Sequence, residues 1–156
     1  MSTYEYIFIA TDLEPEDVAN LASGPLELRV VRDADGNVVM GRPASEGRPG
    51  RVGGEVGRNV YAYPFDDPEE ESVIDGYKIV WTIRYTERTY DIQLAEARKL
   101  FTEMTDKAPW PILLVHGLDV VVAAWHPQLG LREFPPGTSV GREHRSRWEP
   151  YRQRDH

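Results

Sequence analysis

One pentapeptide has the residue types of a hydrolase nucleophile. Gly137-Thr138-Ser139-Val140-Gly141 matches the G-x-S-x-G pattern, in which a turn between a buried strand and a helix exposes the serine hydroxyl. His144 follows as a conceivable base. Pro135-Pro136 precedes the pattern and a polar segment follows it, so neither the strand nor the helix is predicted. We do not expect Ser139 to be catalytic, although a small hydrolase that uses Ser139 or the histidines stays open as an alternative.

Two other patterns have residue types that bind metal ions. Asp33, Asp35 and Asn37 have the first three ligand spacings of a calcium loop, but the glycine and the final glutamate of such a loop are missing, so we predict a turn. His116 and His126 flank an apolar hairpin without a third ligand at metal spacing. We therefore predict structural histidines, no metal and no cofactor.

Residues 43–58 (PASEGRPGRVGGEVGR) are rich in glycine and could suggest a phosphate cradle. No Gly-Lys-Ser/Thr follows, and the next predicted element is a strand, whereas a dinucleotide fingerprint requires a helix there. The segment has no periodic apolar pattern. It is therefore predicted to be a mobile loop.

The most concentrated charge lies in residues 66–75 (DDPEEESVID), with six carboxylates and no lysine or arginine. Such a run is commonly a solvated loop. It is also typical of a surface that attracts a basic partner at long range and anchors it with neighbouring aromatic rings. The residues predicted for this partner surface are Asp66, Asp67, Glu69, Glu70, Glu71, Asp75, Tyr61 and Tyr63.

The C-terminal segment from residue 141 (GREHRSRWEPYRQRDH) has five arginines and three acids, interleaved with two aromatic residues. This pattern could serve a regulatory or nucleic-acid-binding module. However, the segment contributes +2 to a total charge of −8, which leaves −10 on residues 1–140. Nucleic acid is therefore an unlikely partner. We expect an arginine-rich tail, residues 137–156, that folds back over the acidic surface or is partly disordered, and that is dispensable for folding.

Length and composition indicate one domain, residues 1–136, ahead of this tail. The 156 residues are 40% hydrophobic and 28% charged, which is ordinary for a globular chain. There is no cysteine, and the N-terminus lacks the basic and apolar regions of a signal peptide. No apolar stretch approaches the roughly 20 residues of a membrane helix. The expected location is the cytoplasm, without membrane contact. The oligomeric state is not indicated.

Hydrophobic periodicity predicts an α+β fold: one mostly antiparallel sheet of about six or seven strands with two helices on one face. The clearest strand alternates from Tyr77 to Thr86, and the clearest helix spans residues 91–107, with Gln93 and Glu96 on its outer side. The strand's inner residues are expected to pack under Leu94, Phe101 and Met104 of that helix. Strands are predicted at 4–10, 26–32, 38–42, 59–65, 77–86, 112–116 and 119–125, and helices at 15–22 and 91–107.

Three stretches carry a family resemblance: the opening YEYIFIATDLEPEDVANLAS, the later DIQLAEARKLFTEMTDKAPWPILLVHGLDVVVAAW, and the acid-rich segment between them. With these stretches the chain resembles the small acidic immunity proteins that bacteria encode beside secreted polymorphic or contact-dependent toxins. The resemblance implies a non-enzymatic role, in which the chain binds and blocks a cognate toxin domain in the cytoplasm of the producing cell. The toxin would be a nuclease or an enzyme that attacks NAD.

Overall fold

The structure is a computed structural model that describes residues 3–62 and 70–153. Within these ranges the chain forms eight strands and three helices. In chain order they are β1 (Glu5–Ile9), α1 (Pro15–Leu26), β2 (Arg29–Arg32), β3 (Val38–Pro43), β4 (Arg51–Arg58), β5 (Ile79–Tyr85), α2 (Tyr90–Lys107), β6 (Ile112–His116), β7 (Val120–His126), β8 (Gly130–Glu133) and α3 (Arg145–Trp148). Short 3-10 turns flank α3.

All eight strands belong to one antiparallel sheet in the order β2-β3-β4-β5-β1-β6-β7-β8. The predicted α+β class and the antiparallel sheet are confirmed, and the strand count is higher than the six or seven expected. Two strands were not predicted: β4, which lies in the glycine-rich segment predicted as a loop, and β8, three of whose four residues are exposed. No helix among the described residues combines the length and apolar character needed to cross a membrane.

β1 lies at the centre of the sheet although it begins the chain. Ile7 is opposite Trp81 of β5 on one side and opposite Leu114 of β6 on the other. Because neighbouring strands take both of its edges and packed layers cover both of its faces, all five residues are buried, including Glu5. The edges of the sheet are β2 and β8.

The two longer helices cover one face of the sheet, as predicted. Ile79, Trp81 and Ile83 of β5 lie in one core cluster with Phe101 and Met104 of α2. Leu94 packs at the margin of the same cluster. The face assignment is wrong at one end: Tyr77 precedes β5 and belongs to the core cluster on the opposite face. The alternation of residues between the two sheet faces therefore holds only within the strand and does not assign a face to residues that precede it.

The opposite face is covered over β1, β6 and β7 by two irregular segments, residues 70–77 and 134–152. Trp148 is fully buried there and Tyr151 is 6% exposed, in one cluster with Phe134. The expectation that the C-terminal segment contributes nothing to the core is therefore wrong. Its apolar residues sit on successive short turns rather than on one helix or strand, so they show no regular spacing in the sequence.

The glycine-rich segment is not a mobile loop throughout, because Arg51–Arg58 forms strand β4. A side chain on Gly54 would overlap the carbonyl oxygen of Thr82, and one on Gly41 would come within 2.8 Å of the carbonyl oxygen of Val52. Glycine here permits close strand approach instead of disorder. The predicted strand at 59–65 is not found over residues 59–62, and 63–65 lie outside the described residues.

Helix α1 also differs from its predicted end. It continues through Gly24 and Pro25 to Leu26, and Glu27 adopts the left-handed conformation (φ 56°) that ends it. The glycine at 24 therefore does not serve as the C-cap. Strand β2 consequently starts at Arg29 instead of residue 26.

Candidate functional site

Half of one sheet face has no covering layer in the described structure. It is the face of β2 to β4 and of β5 beyond the buried Val80 that points away from the two long helices, and its outward residues include Val31, 41% exposed, and the exposed Arg84. Three adjoining cavities of about 380, 310 and 270 Å³ lie on this face. Arg84 lines all three, so it marks the centre of the open surface.

The strand register aligns four residues across this surface. Arg29 of β2 is opposite Gly41 of β3, Gly41 is opposite Gly53 of β4, and Gly53 is opposite Arg84 of β5. Gly53 has a φ of 143°, and a side chain there would overlap the backbone of β3. The close approach of the strands therefore leaves a bare floor between two arginines.

Two more arginines line this part of the surface. Arg51 stands at the start of β4, where its backbone N–H donates to the hydroxyl of Thr86 at 2.9 Å. Arg88 follows β5 in the left-handed conformation (φ 56°), which is uncommon for a residue other than glycine. We call the two cavities of 380 and 270 Å³, with their bare floor, the arginine trough. Its cationic side chains are Arg29, Arg51, Arg84 and Arg88.

The third cavity joins the trough to a tyrosine cluster. Tyr4 and Tyr6 line it, and Tyr61 packs edge-on against Tyr6 with ring centres 5.6 Å apart. Burial, with a contribution from Tyr61, raises the pKa of Tyr6 to about 12. Tyr61, a predicted partner anchor, thus lies against the folded core and is still 40% exposed.

The acidic segment is described from Glu70 onward, and its carboxylates differ in their surroundings. Glu70 is exposed, whereas Glu71 is 9% exposed and forms ion pairs with Arg152 at 2.6 Å and Arg145 at 3.2 Å. The half-buried Asp75 accepts a hydrogen bond from the backbone N–H of Ser72 at 3.0 Å. The predicted partner residues outside the described ranges are Asp66, Asp67, Glu69 and Tyr63.

These ion pairs show how the C-terminal segment is held. The sequence left open whether the segment folds back over the acidic surface or is partly disordered, and two of its arginines pair with Glu71. Trp148 adds a hydrogen bond from its ring N–H to the carbonyl of Ser139 at 3.2 Å, and the hydroxyl of Tyr77 donates to the carbonyl of Tyr151 at 2.8 Å. The segment is therefore docked by charge and by aromatic packing together.

Ser139 lies in irregular chain, separated from the end of β8 at Glu133 and from the start of α3 at Arg145, and not on a tight turn that joins a strand directly to a helix. Its backbone N–H donates to Nδ1 of His144 at 2.7 Å, and its hydroxyl oxygen accepts from the N–H of Gly141 at 3.0 Å. The pKa of Glu143 is lowered, chiefly by a hydrogen bond from the Ser139 hydroxyl. The imidazole nitrogen near Ser139 is thus engaged by the backbone and not by the hydroxyl. The strand–turn–helix context of a nucleophile elbow is absent from this described segment, as the sequence predicted.

Two buried carboxylates were not expected from the sequence. Glu5 in β1 contacts Nδ1 of His116 and accepts a hydrogen bond from the side-chain amide of Gln93. Glu96 of α2 accepts from the backbone N–H and the hydroxyl of Ser45, at 2.9 and 2.8 Å. The prediction that Gln93 and Glu96 lie on an outer side of the helix is wrong. Gln93 bonds to the start of β1 and the end of β5, and the loop before β4 covers Glu96.

The surroundings of Glu96 favour its charged form. Burial opposes ionisation, but the hydrogen bonds from Ser45 and Arg48 outweigh it, so the pKa of Glu96 is lowered. Its other carboxylate oxygen is buried and has no hydrogen-bond partner in the structure. Glu96 therefore holds the loop that precedes β4 through Ser45 and Arg48.

The remaining candidate ligands have local structural partners. Asp33 accepts hydrogen bonds from the backbone N–H groups of Asp35 and Asn37, both at 2.9 Å, which confirms the predicted turn. Nδ1 of His126 accepts from the N–H of Gln128 at 3.0 Å. Within residues 3–62 and 70–153, no group of three histidine or acidic side chains is placed to hold a metal ion.

Sequence reasoning missed the arginine trough. The alternation of β5 does put Arg84 on a solvent-facing side, but its relation to Arg29 depends on the strand order. Arg51 belonged to a segment predicted as a loop. Comparisons of the chain with protein-family models, with curated proteins and with solved structures found no significant match.

Proposed function

We propose that the chain is an immunity-type protein that binds a cognate secreted toxin domain and blocks it in the cytoplasm of the producing bacterium. One observation supports this best: the described end of the acidic segment, residues 70–75, is anchored to the folded core. Val73 and Ile74 are buried in the core, and Glu71 is clamped by two arginines. A charge cluster that starts from such an anchored end costs less conformational entropy on binding than a free loop does.

The proposed contact surface combines charge with aromatic anchors. Glu70 is exposed beside the clamp, and Tyr61 offers part of its ring to a partner. Carboxylates at this place would steer a basic toxin cleft towards the chain and raise the association rate by about 10- to 1,000-fold. Glu71 has a different part in the proposal: it secures the base of the surface. The other members of the surface remain as predicted from the sequence.

The test is the association rate with the toxin domain encoded beside this gene. Glu69→Gln together with Glu70→Gln should slow association severalfold and flatten its dependence on salt, because the steering field is screened within about 8 Å at physiological ionic strength. The melting temperature should stay nearly unchanged. Glu71 is left intact so that the C-terminal segment remains clamped. Stopped-flow binding at several salt concentrations gives both quantities.

A matched control removes two acids from the opposite side of the molecule. Asp17→Asn with Asp106→Asn changes the net charge equally, but both residues are exposed on the helices that cover the other sheet face. This variant should associate almost as fast as the unmodified chain. Equal rates for both double variants would show that only net charge matters. If the toxin domain does not bind the chain, or co-expression does not protect cells from it, the immunity proposal is wrong.

A further inference from the structure

We propose that the arginine trough binds a small molecule that carries phosphate groups. This inference is independent of the immunity proposal, because it concerns the open sheet face and not the acidic segment. It depends on the charge balance of the trough, on its shape and on the side chains at its far end.

The charge balance of the trough is opposite to that of the chain. The chain has 26 acidic and 18 basic residues, yet the residues lining the two cavities of the trough include four arginines and no carboxylate. Among the described residues, none of these four arginines forms an ion pair. Exposed arginines elsewhere do, as in Arg32–Glu16, Arg58–Glu14 and Arg98–Glu133. Asp33 and Glu55 line the adjoining 310 Å³ cavity together with Arg84, but neither forms an ion pair with it among the described residues. The trough therefore gathers four guanidinium groups without an ion-pair partner, which favours a multivalent anion.

The shape of the trough leaves room for that anion between the arginines. Arg29 and Arg84 stand in one register row with Gly41 and Gly53 between them. Three strand spacings put the two arginine Cα atoms about 14 Å apart, and no side chain rises from the floor between them. A guanidinium forms paired hydrogen bonds with phosphate oxygens and keeps its charge at any physiological pH. One phosphate chain could therefore be held from both sides.

The far end of the trough adds aromatic surface. Tyr4 and the 44% exposed Tyr90 line the 270 Å³ cavity together with Arg84 and Arg88. The guanidinium of Arg84 lies 6.0 Å from the ring centre of Tyr4. The larger cavity has the volume of ordinary small-molecule sites, about 300–1,000 Å³. A ligand whose phosphates bind the arginines and whose flat ring lies near the tyrosines would be a nucleoside polyphosphate. A nucleoside polyphosphate is therefore the first probe to use.

The experiment is isothermal titration of the full chain with ATP and, separately, with inorganic tripolyphosphate at constant ionic strength. We expect saturable binding with one site per chain. Arg51→Gln with Arg84→Gln should weaken it about a hundredfold, because removing each charge-assisted hydrogen bond to phosphate costs about tenfold in affinity. Arg98→Gln, an exposed arginine on α2 that pairs with Glu133, is the matched control and should bind like the unmodified chain.

The two probes separate the sources of affinity. If ATP binds more tightly than tripolyphosphate, the adenine ring contributes affinity beside Tyr4 and Tyr90. If the two bind equally, the trough recognises the phosphates alone. Tyr90→Ala should then remove the difference between the probes. The proposal is overturned if neither probe binds saturably at millimolar concentration, if the double arginine variant binds as tightly as the control, or if a single-stranded oligonucleotide binds where ATP does not.

Discussion

Replacing Trp148 with alanine should destabilise the whole domain, although the residue lies near the C-terminus. Its ring is fully buried in the second core cluster, and its ring N–H donates to the carbonyl of Ser139 at 3.2 Å. Truncating a buried tryptophan costs about 3–5 kcal/mol, and the loss of this hydrogen bond accounts for about 1 kcal/mol of that range. Ordinary domains have only about 5–15 kcal/mol of stability. Trp148→Ala is therefore expected to remove a large part of it.

Equilibrium unfolding in urea, followed by circular dichroism, measures the effect. Trp148→Phe keeps most of the apolar packing and loses the hydrogen bond, so it should cost about 1–2 kcal/mol. Leu131→Ala is the control: the side chain is 57% exposed, and its removal should change stability by less than about 0.5 kcal/mol. A truncated chain that ends at residue 136 should lose its cooperative melt.

The docking of the C-terminal segment would be refuted by a small loss of stability. If Trp148→Ala costs less than about 1 kcal/mol, or if the truncated chain melts cooperatively at an unchanged temperature, the aromatic residues of this segment do not support the sheet. The segment would then be the dispensable tail predicted from its sequence.

Three further changes test the packing of the sheet and of the loop before β4. Gly54→Ala should destabilise by about 1–3 kcal/mol because the new methyl group would overlap the carbonyl oxygen of Thr82, while Gly57→Ala in the same strand should change stability by less than about 0.5 kcal/mol; urea unfolding compares them. Trp81→Ala, in the helix-covered core, should cost about 3–5 kcal/mol in the same assay, and a loss below about 1 kcal/mol would contradict the face assignment. Glu96→Gln should cost about 1–3 kcal/mol at neutral pH. Because folding lowers the pKa of Glu96 from its usual 4.5, that difference should shrink as the pH falls below 4.5, and thermal melts across pH 3–7 would show a constant difference if the reasoning is wrong.

The sequence predicted correctly those strands and helices whose own pattern of apolar and polar residues is enough to specify them. β5 alternates apolar and polar residues from Trp81 to Tyr85, and α2 repeats its apolar residues at helical spacing, so each shows which side is buried. β4 could not be predicted in this way. Its glycines signal a loop when read locally, and only the neighbouring strands show that glycine is needed for close approach. Trp148 was missed for a related reason, since a short turn that docks one ring has no period.

The arginine trough could be predicted only in part. The exposed side of Arg84 follows from the alternation of β5, but the row from Arg29 to Arg84 exists because β3 and β4 lie between them in the sheet. Sheet order is set by distant strand pairing and not by neighbouring residues. The acidic segment was visible at once because charge density is a property of the sequence itself, whereas the clamp on Glu71 depends on arginines more than 70 residues away.

The central position of β1 determines when the protein can fold as it leaves the ribosome. Residues 5–9 are synthesised before the strands they pair with, which are Ile83 and its neighbours on one side and His116 and its neighbours on the other. Pairing between such distant residues is slow because long loops must close first. Until both partner strands have been synthesised, β1 is therefore an apolar strand with at least one unpaired edge, the kind of segment that invites aggregation.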